Sequence, residues 1–279
     1  VDGMEAAVLR RTLVTSAFGA MVGLAARPLR GQTDADAVDV LLVLAVDVSR
    51  SIKDDEARLQ RQGYRSAIAD TAVVEAIRSG MLGAIGVAYV EWSGIEYQRL
   101  VVPWTRIASQ TDANAWAERL TTAPRASLGW TSISGGIEFS RRVLGEALWQ
   151  GTRRVIDVSG DGVNNSGPPV EQARDRVVAE GITINGLPIL NDHPAFGSSS
   201  NLPLDEYYRE SVIGGPGAFV IVVEEFESFG LAVRRKLIRE ISDLPPARRS
   251  AARAAAPDPT RAIRNVVSRP EAAPDACGE

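Results

Sequence analysis

The stretch "LAVDVSRSIKDD", residues 44–55, is an apolar run that breaks off at Asp47, Ser49 and Ser51. A buried strand seldom ends by setting three oxygen-bearing side chains at alternate positions. Two later segments add to them: "GWTSIS" carries Thr131, and "DVSGDGVNN" carries Asp161. Together these five residues offer two carboxylates and three hydroxyls, an all-oxygen set. Hard divalent cations take that ligand type, Mg²⁺ near-octahedrally at about 2.0–2.1 Å with some waters retained. Mg²⁺ is the first expectation, with Mn²⁺ and Ca²⁺ as alternatives. Zinc is poorly served, because it favours His and Cys ligands. The chain has one of each, His193 and Cys277, and Cys277 stands close to the end.

For these oxygens to meet, the elements that carry them must share an edge. From Val38 onward, apolar runs alternate with helical patterns. "VDVLLVLAVD", "GAIGVAYVEWS", "YQRLVVPW", "TRRVIDVSGDG", "ITINGLPI" and "GAFVIVV" read as strands. "DEARLQRQGYRSAIADTAVVEAIRSG" reads as one helix closing at Gly80. "DANAWAERLTTA", "SISGGIEFSRRVLGEALW", "PPVEQARDRVVAEG" and "EFESFGLAVRRKLIREIS" read as further helices. Such alternation predicts an α/β fold, a doubly wound, mostly parallel sheet with helices on both faces. In an open parallel sheet, ligands bind outside the carboxyl ends of the strands, where the strand order reverses. Asp47 and Asp161 each follow a strand. If those strands are neighbours, both carboxylates lie over one crevice, with Thr131 at the start of a helix on the same edge.

Each residue also has an ordinary use. Ser49 and Ser51 can cap the helix that begins near Asp54, and Thr131-Ser132 can cap another. Asp161-Gly162 can be a turn, with Asn164 and Asn165 as loop formers. Trp130 is assigned to the core in preference to an exposed anchor.

"DVSRS" matches the D-x-S-x-S motif of the von Willebrand factor type A (vWA) domain, the metal-ion-dependent adhesion site (MIDAS). The family's isolated threonine falls on Thr131 and its second aspartate on Asp161, so all five positions are filled. "LAVDVSRSI", "WTSISGGI" and "IDVSGDGVNNSG" more narrowly resemble a bacterial, DUF1194-like branch of exported vWA-like proteins. The resemblance departs from the common pattern at one point. A threonine or serine usually precedes the Asp-Gly pair, and Gly160 stands there instead.

Neutral hydroxyl ligands leave a divalent ion electrophilic, so an incoming Asp or Glu from a partner can replace a water. That logic predicts a non-catalytic, metal-dependent protein-binding module for adhesion or scaffolding. The alternative is a metal-assisted hydrolase or phosphoryl-transfer enzyme, which needs a general base or a second metal. The nearby Asp54, Asp55 and Glu56 instead complement a helix dipole. A dinucleotide-binding domain needs G-x-G-x-x-G after the first strand, where "DVSRSI" stands.

Composition agrees with a globular domain: 45% of the 279 residues are hydrophobic, enough for a core that needs no disulfide or metal to fold. The net charge of −4 argues against nucleic-acid binding. The lone cysteine excludes an internal disulfide framework. Residues 1–37 are expected to be an export signal. Arg10 and Arg11 precede an apolar stretch from Leu13 to Ala26, and Ala35-Asp36-Ala37 offers a cleavage pattern. The arginine pair resembles a twin-arginine signal. The stretch is too short to span a bilayer, which needs about 20 residues. The expected location is the periplasm or cell envelope, with no transmembrane span once the signal is removed. Residues 38–242 form the vWA-like domain. Residues 243–279, rich in Pro, Ala and Arg, are read as a disordered tail. The interval 188–215 is too long for a simple connection and is expected to be functional or mobile.

Overall fold

A computed structural model of the protein describes residues 37–123, 129–190 and 202–242. Of the expected export signal only Ala37 is described, as the first residue of a strand; His193 and the expected tail 243–279, with Cys277, lie outside the described residues.

Strand β1 (Ala37–Asp47) is the middle of a five-stranded sheet, with β2 (Ile85–Trp92), β3 (Gln98–Ile107), β4 (Gln150–Gly160) and β5 (Thr183–Pro188) in the order β3-β2-β1-β4-β5. All pairs are parallel except β2 with β3, a hairpin at the sheet edge. The chain leaves β1 toward β2 and later returns to its other side as β4. The strand order therefore reverses between β1 and β4, where an open α/β sheet leaves a crevice. Val46 pairs with Ser159, so Asp47 at the end of β1 is level with Gly160 at the end of β4.

Both faces of the sheet are covered, which explains why β1 is continuously apolar from Val40 to Val46. Val40, Leu42, Leu44 and Val46 face α1 (Asp54–Ile68), α2 (Thr71–Arg78), α3 (Gln110–Thr122) and α7 (Phe229–Ser242). Leu41, Val43 and Ala45 face α4 (Ile133–Gly145) and α5 (Val170–Ala179). The second face also takes Tyr208 and Val212 from a π-helical turn, Tyr208–Val212, that continues the short helix α6 (Leu204–Tyr207). Among the described residues no helix is long and apolar enough to cross a membrane.

Two expectations need correction. The long first helix is in fact two, α1 and α2. Asp70 adopts an extended backbone, and its side chain accepts from Ala72 N–H, starting a new helix where periodicity alone continues the old one. "GAFVIVV" does not form a regular sixth strand. Val220 and Val223 make isolated bridges to Gly186 and Ile189, while Phe219 N–H donates to the Asn185 side chain rather than to a backbone carbonyl.

Between β4 and α7 lies a buried charged cluster. Lys236 Nζ is 2.6 Å from Asp157 Oδ1 and 2.5 Å from Glu240 Oε1, and Asn185 Nδ2 donates to the same Glu240 oxygen at 2.9 Å. Burial pushes the Asp157 carboxyl up to about 7; Lys236 opposes that rise and Glu240 adds to it.

The folded state therefore holds a proton that an unfolded aspartate releases near 3.8. Between those values the folded state binds more protons, so this group's contribution to stability falls as pH rises through the interval. Urea denaturation at about pH 5 and about pH 7.5 should show wild type losing stability between them, and Asp157→Asn losing less. Removing the cation from the cluster, in Lys236→Met, should destabilise the fold by about 3–5 kcal/mol, because two buried carboxyls lose their partner.

Candidate metal centre

The site begins where β1 runs out. Asp47 is fully buried, and its Oδ1 accepts from Ser49 N–H at 2.7 Å. Ile52 N–H then closes a tight turn on the Ser49 carbonyl. Neither serine caps the helix that follows. Helix α1 is preceded by Lys53, whose backbone N–H donates to the Glu56 side chain at 2.8 Å. Both serine hydroxyls are thereby left to face the crevice.

There they join the other two segments. Ser51 Oγ donates to Asp161 Oδ1 at 2.7 Å and lies 3.1 Å from Ser49 Oγ. Thr131 Oγ1 donates to Ser49 Oγ at 3.3 Å. A continuous string runs Thr131–Ser49–Ser51–Asp161, and Asp47 is tied to it through the Ser49 backbone. The five residues singled out by type and spacing thus lie together at the carboxyl edge between β1 and β4.

The capping role open to Thr131-Ser132 falls to Ser132 alone, whose hydroxyl accepts from Gly135 N–H at 3.2 Å. Thr131 is held from outside its helix. Its N–H donates to Asn165 Oδ1 at 2.8 Å, and its carbonyl accepts from Asn165 N–H at 2.9 Å. Asn164 Oδ1 accepts from Ser134 N–H at 3.0 Å. Ser132 N–H donates to the Ser93 carbonyl at 2.7 Å, fastening the same corner to the end of β2. Asn164 and Asn165 are more than loop formers: they lock the loop after β4 onto the start of α4 and so set Thr131 against Asp161. The adjacent asparagines after Asp-Gly were the available signal, because such amides bond readily to nearby backbone.

Electrostatics make the site demanding. Burial drives the Asp47 carboxyl well above the usual carboxylate range, and the Asp161 charge raises it further; the Ser49 N–H works against both. Asp47 Oδ2 is buried with no hydrogen-bond partner among the described residues. A carboxylate oxygen so placed carries a desolvation cost of about 1–3 kcal/mol or more until something binds it. A divalent cation would meet that need and relieve the repulsion between the two acids. The donor set is two carboxylates and three hydroxyls, an all-oxygen chemistry suited to a hard ion, and among the described residues no three His, Cys, Asp or Glu side chains gather. Asp47, Ser49, Ser51, Thr131 and Asp161 are the groups that could surround the ion, directly or through water.

Trp130 is not core. It is 57% exposed, next to Thr131, and Ile95 beside the start of α4 is 43% exposed. Sequence reasoning also missed Tyr208. Its ring enters from the interval 188–215, and its hydroxyl lies 2.9 Å from where a Cβ on Gly160 would stand, on the α5 face.

Residues 37–245 match the family model described as "Protein of unknown function (DUF1194)". No curated protein matches the chain. Among solved structures, the pilus adhesin SpaC from Lactobacillus rhamnosus GG is similar with a TM-score of 0.55 at 15% identity, over 74% of this chain and 31% of that one. A von Willebrand factor type A protein from Catenulispora acidiphila is similar at 0.50 and 15%, over 74% and 43%. Proximal thread matrix protein 1 from the mussel byssus, described with a zinc-occupied MIDAS motif, is similar at 0.51 and 16%, over 75% and 49%. The chain spans less than half the length of each of these three structures. At such identities the likeness concerns the fold. The chain belongs to the DUF1194 family, and its fold is that of a von Willebrand factor type A domain.

Proposed function

We propose that this domain is a non-catalytic, metal-dependent protein-binding module, in which Asp47, Ser49, Ser51, Thr131 and Asp161 hold one divalent cation. The observation that carries this reading is the hydrogen-bonded string of hydroxyls between two crowded carboxyls, with Asp47 Oδ2 buried and unpartnered. Three of the five groups are neutral and the two carboxylates at most balance the ion, which would keep coordination positions for water. A carboxylate from a partner can displace one such water and bind the hard ion directly through oxygen. Exposed Trp130 and Ile95 border the site and would meet whatever flanks that carboxylate. Mg²⁺ is the expected ion. Zinc remains a competitor, since it binds most N/O sites more tightly than Mn²⁺ and a protein of the same fold is described with zinc at its MIDAS.

Calorimetry with Mg²⁺, Mn²⁺ and Zn²⁺ should show one site, lost in Asp47→Ala and in Asp161→Ala. At a cation concentration about 100 times Kd, the wild type should gain about 2.7 kcal/mol of stability, seen as a higher Tm. Identical binding by wild type and both variants would remove the site from these residues.

A partner captured from cell-envelope extract should come off in chelator, and Thr131→Ala should weaken capture while the melting transition stays cooperative. Changing the essential Asp or Glu of that partner to the amide should cost affinity. Retention in excess chelator would leave the metal edge without its role. Metal-dependent turnover of a phosphoester or peptide, lost in Asp47→Ala, would favour a hydrolase.

Residues 1–37 support a further part of the proposal, export to the periplasm or cell envelope. Fractionation should recover the protein outside the cytoplasm, and the double substitution Arg10→Lys, Arg11→Lys should retain it inside.

A further inference from the structure

Tyr208 belongs to no regular strand or long helix, yet its ring is among the largest side chains fully buried in the protein. It occupies a slot that two glycines on adjacent strands keep clear. A Cβ on Gly186 would lie 2.8 Å from Tyr208 Cδ1, closer than real Cβ contacts come. A Cβ on Gly160 would lie 2.9 Å from the Tyr208 hydroxyl and 3.0 Å from Asp47 Oδ2. The phenol oxygen and the carboxylate oxygen thus stand over the same bare Cα, one from the turn Tyr208–Val212 and the other from the end of β1. Both are buried, and neither has a hydrogen-bond partner among the described residues.

Two such atoms are costly apart and complementary together. A phenol can donate, a carboxyl oxygen can accept in either protonation state, and a hydrogen bond between them satisfies two buried atoms at once. A carboxylate has about four lone-pair sites, so Asp47 can receive Ser49 N–H, the phenol and a cation on different sides. We infer that Tyr208 is a positioning residue of the metal centre: its hydroxyl donates to Asp47 Oδ2, by direct approach or across one water, and fixes the carboxylate for the ion. This rests on the proposed metal site for its consequence, but not for the Tyr208–Asp47 link itself. The bare backbone at Gly160 and Gly186 is then the condition that admits a phenol from a distant turn.

Tyr208→Phe tests the inference, since the ring still fills its slot. Were the hydroxyl an idle buried group, its removal would leave stability unchanged or raise it. Urea denaturation in chelator of wild type, Tyr208→Phe, Asp47→Ala and the double variant forms a cycle that needs no metal. Tyr208→Phe should raise the unfolding constant with Asp47 present, by at least about threefold more than in the Asp47→Ala background. A smaller difference overturns the link. Mn²⁺ titration of Tyr208→Phe should give a Kd raised about tenfold or more, as for residues that orient metal ligands elsewhere. An unchanged Kd would overturn the positioning role while leaving the metal site standing. Failure of wild type to bind Mn²⁺ would instead overturn the metal reading and with it any positioning of that ion, and the chelator cycle would still decide the Tyr208–Asp47 link.

Discussion

The structure turns on one electrostatic constraint, the placement of Asp47 and Asp161 at adjacent strand ends where neither is well solvated. Burial and mutual repulsion together drive the Asp47 carboxyl upward. No packing of apolar side chains removes that cost, because it comes from withdrawing charge from water. The parallel pairing of β1 with β4 is what enforces it: their register puts Asp47 level with Gly160, one residue before Asp161. The arrangement around the pair follows. Hydroxyls from Ser49, Ser51 and Thr131 form a polar lining, and the two asparagines and Ser132 fix the backbone that carries Thr131.

Strand β4 shows two answers to the same difficulty. Asp157, four residues before Asp161, faces α7, and the protein supplies Lys236 as its counter-charge. Glu240 joins that cluster through Lys236, and Asn185 donates to the same Glu240 oxygen. Lys236 cannot serve the strand end, since it sits on the opposite face of the sheet from Asp47 and Tyr208. One carboxylate therefore has its counter-charge within the core, while the pair lies at the carboxyl edge of the sheet. Charge compensated internally serves the fold; charge at the carboxyl edge of a parallel sheet is suited to a ligand.

How much of this was legible in the chain depends on whether the cause was local. Asp47, Ser49 and Ser51 are local: an apolar run ending in alternate oxygens marks a strand end with a purpose, and the doubly wound class follows from the alternation of runs. Thr131 and Asp161 were legible because each stands at an element boundary. The break between α1 and α2 was present in the sequence too, but Asp70 was overridden by the periodicity around it. Trp130 misled because a large aromatic is usually buried, whereas this one sits on a corner set by distant bonds to Ser93 and Asn165. The run 219–223 pairs with β5 only through isolated bridges, because Phe219 N–H goes to the Asn185 side chain and Pro188 has no N–H to offer the run. Tyr208 was beyond reach, since nothing near it in sequence indicates which strand end it meets.

The departure from the vWA pattern at Gly160 follows from the same geometry. With a side chain there, the Cβ would collide with both the Tyr208 hydroxyl and Asp47 Oδ2, so the residue before Asp161 and the residue at 208 cannot be chosen independently. A hydroxyl amino acid at 160 would put its oxygen on the strand that bears the second aspartate. Here the nearest hydroxyl arrives instead from the chain segment after β5, on a rigid aromatic ring with few rotamers to lose. The orientation of Asp47 is then coupled to the packing of the turn Tyr208–Val212 against β5 and α5. A change that loosens that turn, though remote in sequence from every proposed ligand, would be felt first at the carboxylate on which the crowded edge depends.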